Sequence, residues 1–150
     1  MNNSSFEQEL ARSGRLVYTN VGTSMLPMLR PRRDLIIVEP RPQGRCRRYD
    51  VVLYKRPTGQ YVLHRILKVR KEDYVLCGDN RAIPEEGVQE DWIFGILTGF
   101  VRDGKTISVR NLWYRCYVHL WCDCFVIRAG IIRLLAVIER GKQKHEKKDR

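Results

Sequence analysis

Between residues 34 and 109 the chain is a succession of short β-branched or apolar runs cut by turn residues, and no other feature restricts its fold as much. The runs are 35–38, 51–54, 61–69, 74–77, 93–100 and 106–109. Pro40, Pro42, Gly44, Pro57-Thr58-Gly59, Gly78-Asp79-Asn80, Pro84 and Asp103-Gly104 separate them. Proline withholds a ladder donor and glycine accepts positive φ, so these residues end strands rather than extend them. The texture predicts an antiparallel, mainly β domain. Within 61–69, a period of two puts Val62, His64, Ile66 and Lys68 on one face. Tyr61, Leu63, Arg65, Leu67 and Val69 fall on the other.

The flanks read as helix. Ser4 or Ser5 with Glu7 or Gln8 three residues on resembles a capping box, and Gly14 is a stop, which predicts a helix over 5–13. Beyond Asn111 the chain is apolar and aromatic with a charge every four or five residues, as in one or two helices broken near Gly130. The expected organisation is a β domain over 1–110, a helical appendage over 111–141 and a basic tail over 142–150. Hydrophobic residues at 43% and charged residues at 30% exclude a disordered chain and a multispan membrane protein. The longest uncharged apolar-rich stretch, 92–101, is about half the ~20 residues that a spanning helix needs. The first ten residues have no basic start and no apolar run, so no secretion signal is read there and the cytoplasm is the expected location. Cys46, Cys77, Cys116, Cys122 and Cys124 lack paired metal-site spacing and are expected to be reduced thiols.

Lys and Arg number 28 against 17 Asp and Glu, a net charge of +11. Such a balance suits an acidic partner, either nucleic acid or an anionic lipid surface. Arginines cluster at 30, 32, 33, 41, 45, 47 and 48, and a second basic cluster forms the tail. No recognition-helix pattern, zinc finger or aromatic-basic single-strand signature accompanies them, so nucleic acid is not the expected partner. The segment 113–138, with Trp113, Tyr114, Tyr117, Trp121 and Phe125, has the composition of an interfacial helix pair, although Arg128 and Arg133 interrupt a clean stripe. It is expected either to dock on an anionic membrane surface, making the protein peripheral there, or to pack on the β domain or a second subunit.

The sequence feature with the most chemistry is Val21-Gly22-Thr23-Ser24-Met25-Leu26-Pro27, followed forty residues after the serine by Val62-Leu63-His64-Arg65-Ile66. A serine hydroxyl needs a base to take its proton as it attacks, and an imidazole titrating near neutrality can do so. Taken bare, the pair is a turn serine and a strand histidine.

Four boxes in order give it more meaning. Ser24-Met25-Leu26-Pro27, Tyr49-Asp50-Val51-Val52-Leu53-Tyr54, Leu63-His64-Arg65-Ile66 and Gly78-Asp79-Asn80-Arg81 resemble, collinearly, the boxes of the signal peptidase I and self-cleaving (LexA-like) repressor superfamily. The resemblance covers about residues 15–100. It implies a compact, barrel-like β-sheet catalytic domain and a serine endopeptidase that cleaves a leader or precursor peptide. Ser24 would be the nucleophile and His64 the general base, in the histidine form of the family. No metal or organic cofactor is implied. Lys55 lies nine residues too early to be a lysine base.

Three further roles stay open. The carboxylate orienting His64 is Asp79 by motif, or Glu85 or Glu86, which occupy the place of a later family aspartate, or no carboxylate at all. At the oxyanion hole the family often has a serine two residues before the nucleophile, where this chain has Gly22. That leaves the Ser24 backbone N–H and Thr23 or a neighbouring amide as donors. Met25 and Met28 suit either core packing or an apolar surface near a bilayer. The rival expectation is a catalytically idle relative that binds a peptide or an anionic membrane surface.

Overall fold

In a computed structural model the described residues are 5–146, the side chains at 125 and 139–146 excepted. The chain opens with helix α1 (Phe6–Ser13), whose capping box is formed: Ser5 Oγ accepts from Gln8 N at 3.3 Å and Gln8 Oε1 accepts from Ser5 N at 3.1 Å. Strands follow as β1 (Leu16–Thr19), β2 (Leu35–Pro40), β3 (Val51–Lys55), β4 (Tyr61–Val69), β5 (Tyr74–Cys77), β6 (Glu85–Val88), β7 (Ile93–Arg102) and β8 (Lys105–Ser108). Helices α2 (Leu112–Cys122) and α3 (Phe125–Glu146) complete the order. Each expected strand is present. Two short ones, β1 and β6, were not expected as strands, because 16–18 is brief and Glu85-Glu86-Gly87-Val88 is too polar to read as one.

All strands pair antiparallel in one sheet of order β1-β2-β7-β3-β4-β5-β6, with β8 beside β7. The sheet is open, since β1 and β6 end the order without pairing with each other, so the expected barrel-like closure is not formed. It buries apolar residues on both faces. Val51, Leu53, Leu63, Leu97 and Phe100 pack with Leu10 of α1 and with Met25, Met28 and Leu29, while Val52, Tyr54, Ile66, Tyr74 and Leu76 form a second cluster. Met25 and Met28 are thus core residues, not a bilayer-facing patch.

The helical region is not a uniform appendage. Tyr114, Val118 and Cys122 of α2 join the first cluster, so α2 completes the core. Among the described side chains of α3 the buried ones are Arg128 and Ala129, near its start. Among the described residues no helix is long and apolar enough to cross a membrane. The side chains of the expected basic tail, 142–150, lie outside the described residues. All five cysteines are free.

Candidate active site

Ser24 opens the turn 24–28 between β1 and β2. Fully buried Met25, Met28 and Leu29 anchor this turn in the core, and Leu26 N donates to Thr23 O at 3.2 Å. A second segment grips it from the β5 end. Asn80 N donates to Ser24 O at 2.8 Å and Asn80 Nδ2 to Thr23 O at 3.3 Å. Gly78 lies so close that a Cβ there would stand 2.5 Å from Ser24 O and 3.0 Å from Ser24 Cβ. Only glycine permits this approach. Residues fifty-four apart in sequence therefore set the serine's position together.

His64 stands on β4 opposite Val52 of β3, while Tyr54 of β3 stands opposite Val62. The two rings are diagonal neighbours on one face, within reach of each other as such pairs are. Tyr54 Oη lies 3.3 Å from His64 Nδ1 and donates to Glu85 Oε2 at 2.7 Å. Because the phenol's proton is given to Glu85, its oxygen is the acceptor toward Nδ1–H, leaving Nε2 as the basic nitrogen. Arg56 closes the chain, donating from Nε to Glu85 Oε1 at 2.9 Å and bonding Glu85 Oε2 as well.

The electrostatics follow from burial. His64 is 8% exposed. Desolvation lowers its pKa from the ordinary 6.5 to about 4, and the nearby Glu85 charge only partly opposes this. Near neutral pH the imidazole is uncharged, as a base must be. Burial would raise Glu85, but hydrogen bonds from Arg56 and Tyr54 outweigh it and hold the carboxyl below its usual value. Burial and the Glu85 contact push the Tyr54 phenol up, so it keeps its proton.

Ser24 and His64 both wall a cleft of about 730 Å³, together with Gly22, Thr23, Arg81 and Glu85. Among the described residues no hydrogen bond joins Ser24 to His64. A larger open groove of about 1070 Å³, edged by Arg15, Arg45, Arg47, Arg110 and Arg115, contains neither. Arg45 of that rim binds inward, donating to the carbonyls of Arg70 and Lys71. No family model, curated protein or solved structure matches the chain.

The remaining candidate residues fall in different places. Asp79 does not contact His64: its carboxylate takes two hydrogen bonds from Arg65, at 2.8 and 2.7 Å, and one from Tyr117 Oη at 3.2 Å. The reason is the strand alternation itself. Arg65 neighbours His64 on β4 and so faces the opposite side of the sheet, and a carboxylate paired with it is directed away from the imidazole. Glu86 lies at the surface, paired with Arg70. Lys55 pairs with Glu7 of α1 at 3.2 Å and is not in the cleft. Gly22 N–H is bound by Asn20 Oδ1 at 3.1 Å, whereas among the described residues the N–H groups of Thr23 and Ser24 have no acceptor. Sequence reasoning missed Tyr54 and Arg56 as site residues. Tyr54 ends a quoted box, but its place beside His64 depends on the β3–β4 register.

Proposed function

We propose that this chain is a serine endopeptidase of the signal-peptidase type that cleaves a leader or precursor peptide. One observation carries the reading: Ser24 and His64 wall the same cleft while the second nitrogen of His64 is taken up by Tyr54. Ser24 Oγ attacks the scissile carbonyl as His64 Nε2 takes its proton. The imidazolium then gives that proton to the leaving amine, and water, activated by the same nitrogen, hydrolyses the acyl-enzyme. Tyr54, itself held by Glu85, fixes the tautomer and receives part of the imidazolium's charge through Nδ1–H. Backbone N–H groups at Thr23 and Ser24 serve the oxyanion, with no side-chain donor at Gly22; lacking one such donor typically costs ~10²-fold to 10³-fold in rate.

The rival reading is a peptide-binding relative without turnover. In its favour, Ser24 and His64 are not hydrogen bonded, although such bonds are often long in ligand-free sites and tighten with substrate. Mass spectrometry of candidate precursors co-expressed with the parent, Ser24→Ala and His64→Ala chains separates the two. The enzyme reading expects processing by the parent alone, and equal processing by all three would end it.

A further inference from the structure

Helix α3 carries an apolar face that the other described residues leave uncovered. At ~100° per residue, Val126, Ile127, Ile131, Leu134, Leu135 and Ile138 cover roughly half of the helix circumference; buried Ala129 falls on the other half and buried Arg128 at the edge beside Leu135. All six are exposed, Val126 at 84% and Leu134 at 60%. Isolated exposed apolar residues are ordinary, but a contiguous patch of this kind marks an interaction surface.

We propose that this face lies in the plane of an anionic membrane surface. Three observations select lipid over a second copy. The apolar arc is wider than the narrow seam that a two-stranded helical pair covers. Exposed Arg133 borders the arc, where its stem can lie along apolar surface while the guanidinium reaches headgroups. The chain has a net charge of +11, and residues 139–150 bring six Lys or Arg against three acidic residues directly after the arc. Among the α2 aromatics Tyr114 is buried and Tyr117 and Trp121 are hydrogen bonded to Asp79, whereas Trp113, 53% exposed, is open to the same surface.

The docking face is tied to the cleft. Arg128 donates to the Arg81 carbonyl at 3.2 Å and contacts Cys77 Sγ at 3.4 Å, so the start of α3 is fixed to the segment that lines the Ser24 cleft. Ile83, 80% exposed, stands on that same segment. A surface-bound α3 holds the cleft near the lipid, where a precursor with an apolar leader would also partition.

Flotation of the full chain with vesicles tests this directly. Vesicles of phosphatidylcholine with about 30% phosphatidylserine should carry the protein at low salt, and phosphatidylcholine alone or high salt should carry much less. The double substitution Leu134→Ser/Leu135→Ser changes only exposed positions, so unchanged circular dichroism is expected together with binding at least about tenfold weaker. Ser24→Ala should float like the parent, which keeps this result separate from catalysis. No flotation of the intact chain with anionic vesicles overturns the proposal. So does undiminished binding by the double variant, or a lipid-free dimer that the double variant dissolves while the parent fails to float.

Discussion

Tyr54 Oη stands 3.3 Å from Nδ1 of His64 and hands its own proton to Glu85, so a phenol occupies the place where a carboxylate commonly orients a catalytic imidazole. A neutral linker of this kind leaves less negative charge next to the ring than a direct carboxylate would. The low pKa of His64 is consistent with that.

Tyr54→Phe removes the acceptor for Nδ1–H while leaving the Arg56–Glu85 pair in place. Turnover of a processed precursor should fall about 10-fold to 100-fold with little change in KM, since the loss is of ring orientation rather than of substrate contact. Steady-state kinetics check this, and an unaltered kcat would remove Tyr54 from the site.

The pH dependence follows from the burial of His64. Its folded pKa of about 4 lies below the ordinary 6.5, so the neutral ring's contribution to stability is complete above pH 6.5 and is lost as pH falls toward 4. The acid limb of kcat/KM should lie well below pH 6. Histidine NMR titration of the parent, with His64→Gln to assign the signal, gives the midpoint directly, and a value near 6.5 would contradict the buried setting.

Arg65 and Asp79 are both fully buried and bind each other through two hydrogen bonds. Arg65→Met leaves an unpaired buried carboxylate and should destabilise the fold by ~3–5 kcal/mol. Adding Asp79→Leu to it should restore much of that loss. Urea denaturation of the two single variants and the double variant tests the coupling.

Two glycines should respond oppositely to alanine. Gly78→Ala pushes a methyl group into Ser24 and should abolish processing, by moving Ser24 if the fold survives. Gly130→Ala sits in α3 with open space around its Cβ and should stabilise the helix by about 0.5–1 kcal/mol with processing unchanged. Thermal melts and processing assays on both variants make the comparison.

The strands were legible because turn residues bracket β-branched runs, and the alternation in 61–69 already set His64 and Arg65 on opposite faces. What that alternation meant for Asp79 was not legible, since it required knowing that Arg65 is the residue Asp79 meets. Glu85 was open as an orienting group, but its route through Tyr54 depends on register across four strands, and local sequence does not encode that. The open sheet was also beyond reach, because strand runs look alike whether or not the end strands pair. Helix α2 read as an appendage because its aromatic texture is the same whether it faces lipid or core. Tyr114 and Val118, a turn apart, settle it only once their neighbours are known.

Tyr114 Oη accepts from Arg65, Tyr117 Oη donates to Asp79, and Trp121 Nε1 donates to the Asp79 carbonyl, one residue before the asparagine that grips Ser24. The smallest piece of this chain that could keep Ser24 in register therefore ends after Cys122, not at the last strand. A truncation at residue 110 would strip the cover from an ion pair and slacken the turn that presents the serine, although every strand would still be there.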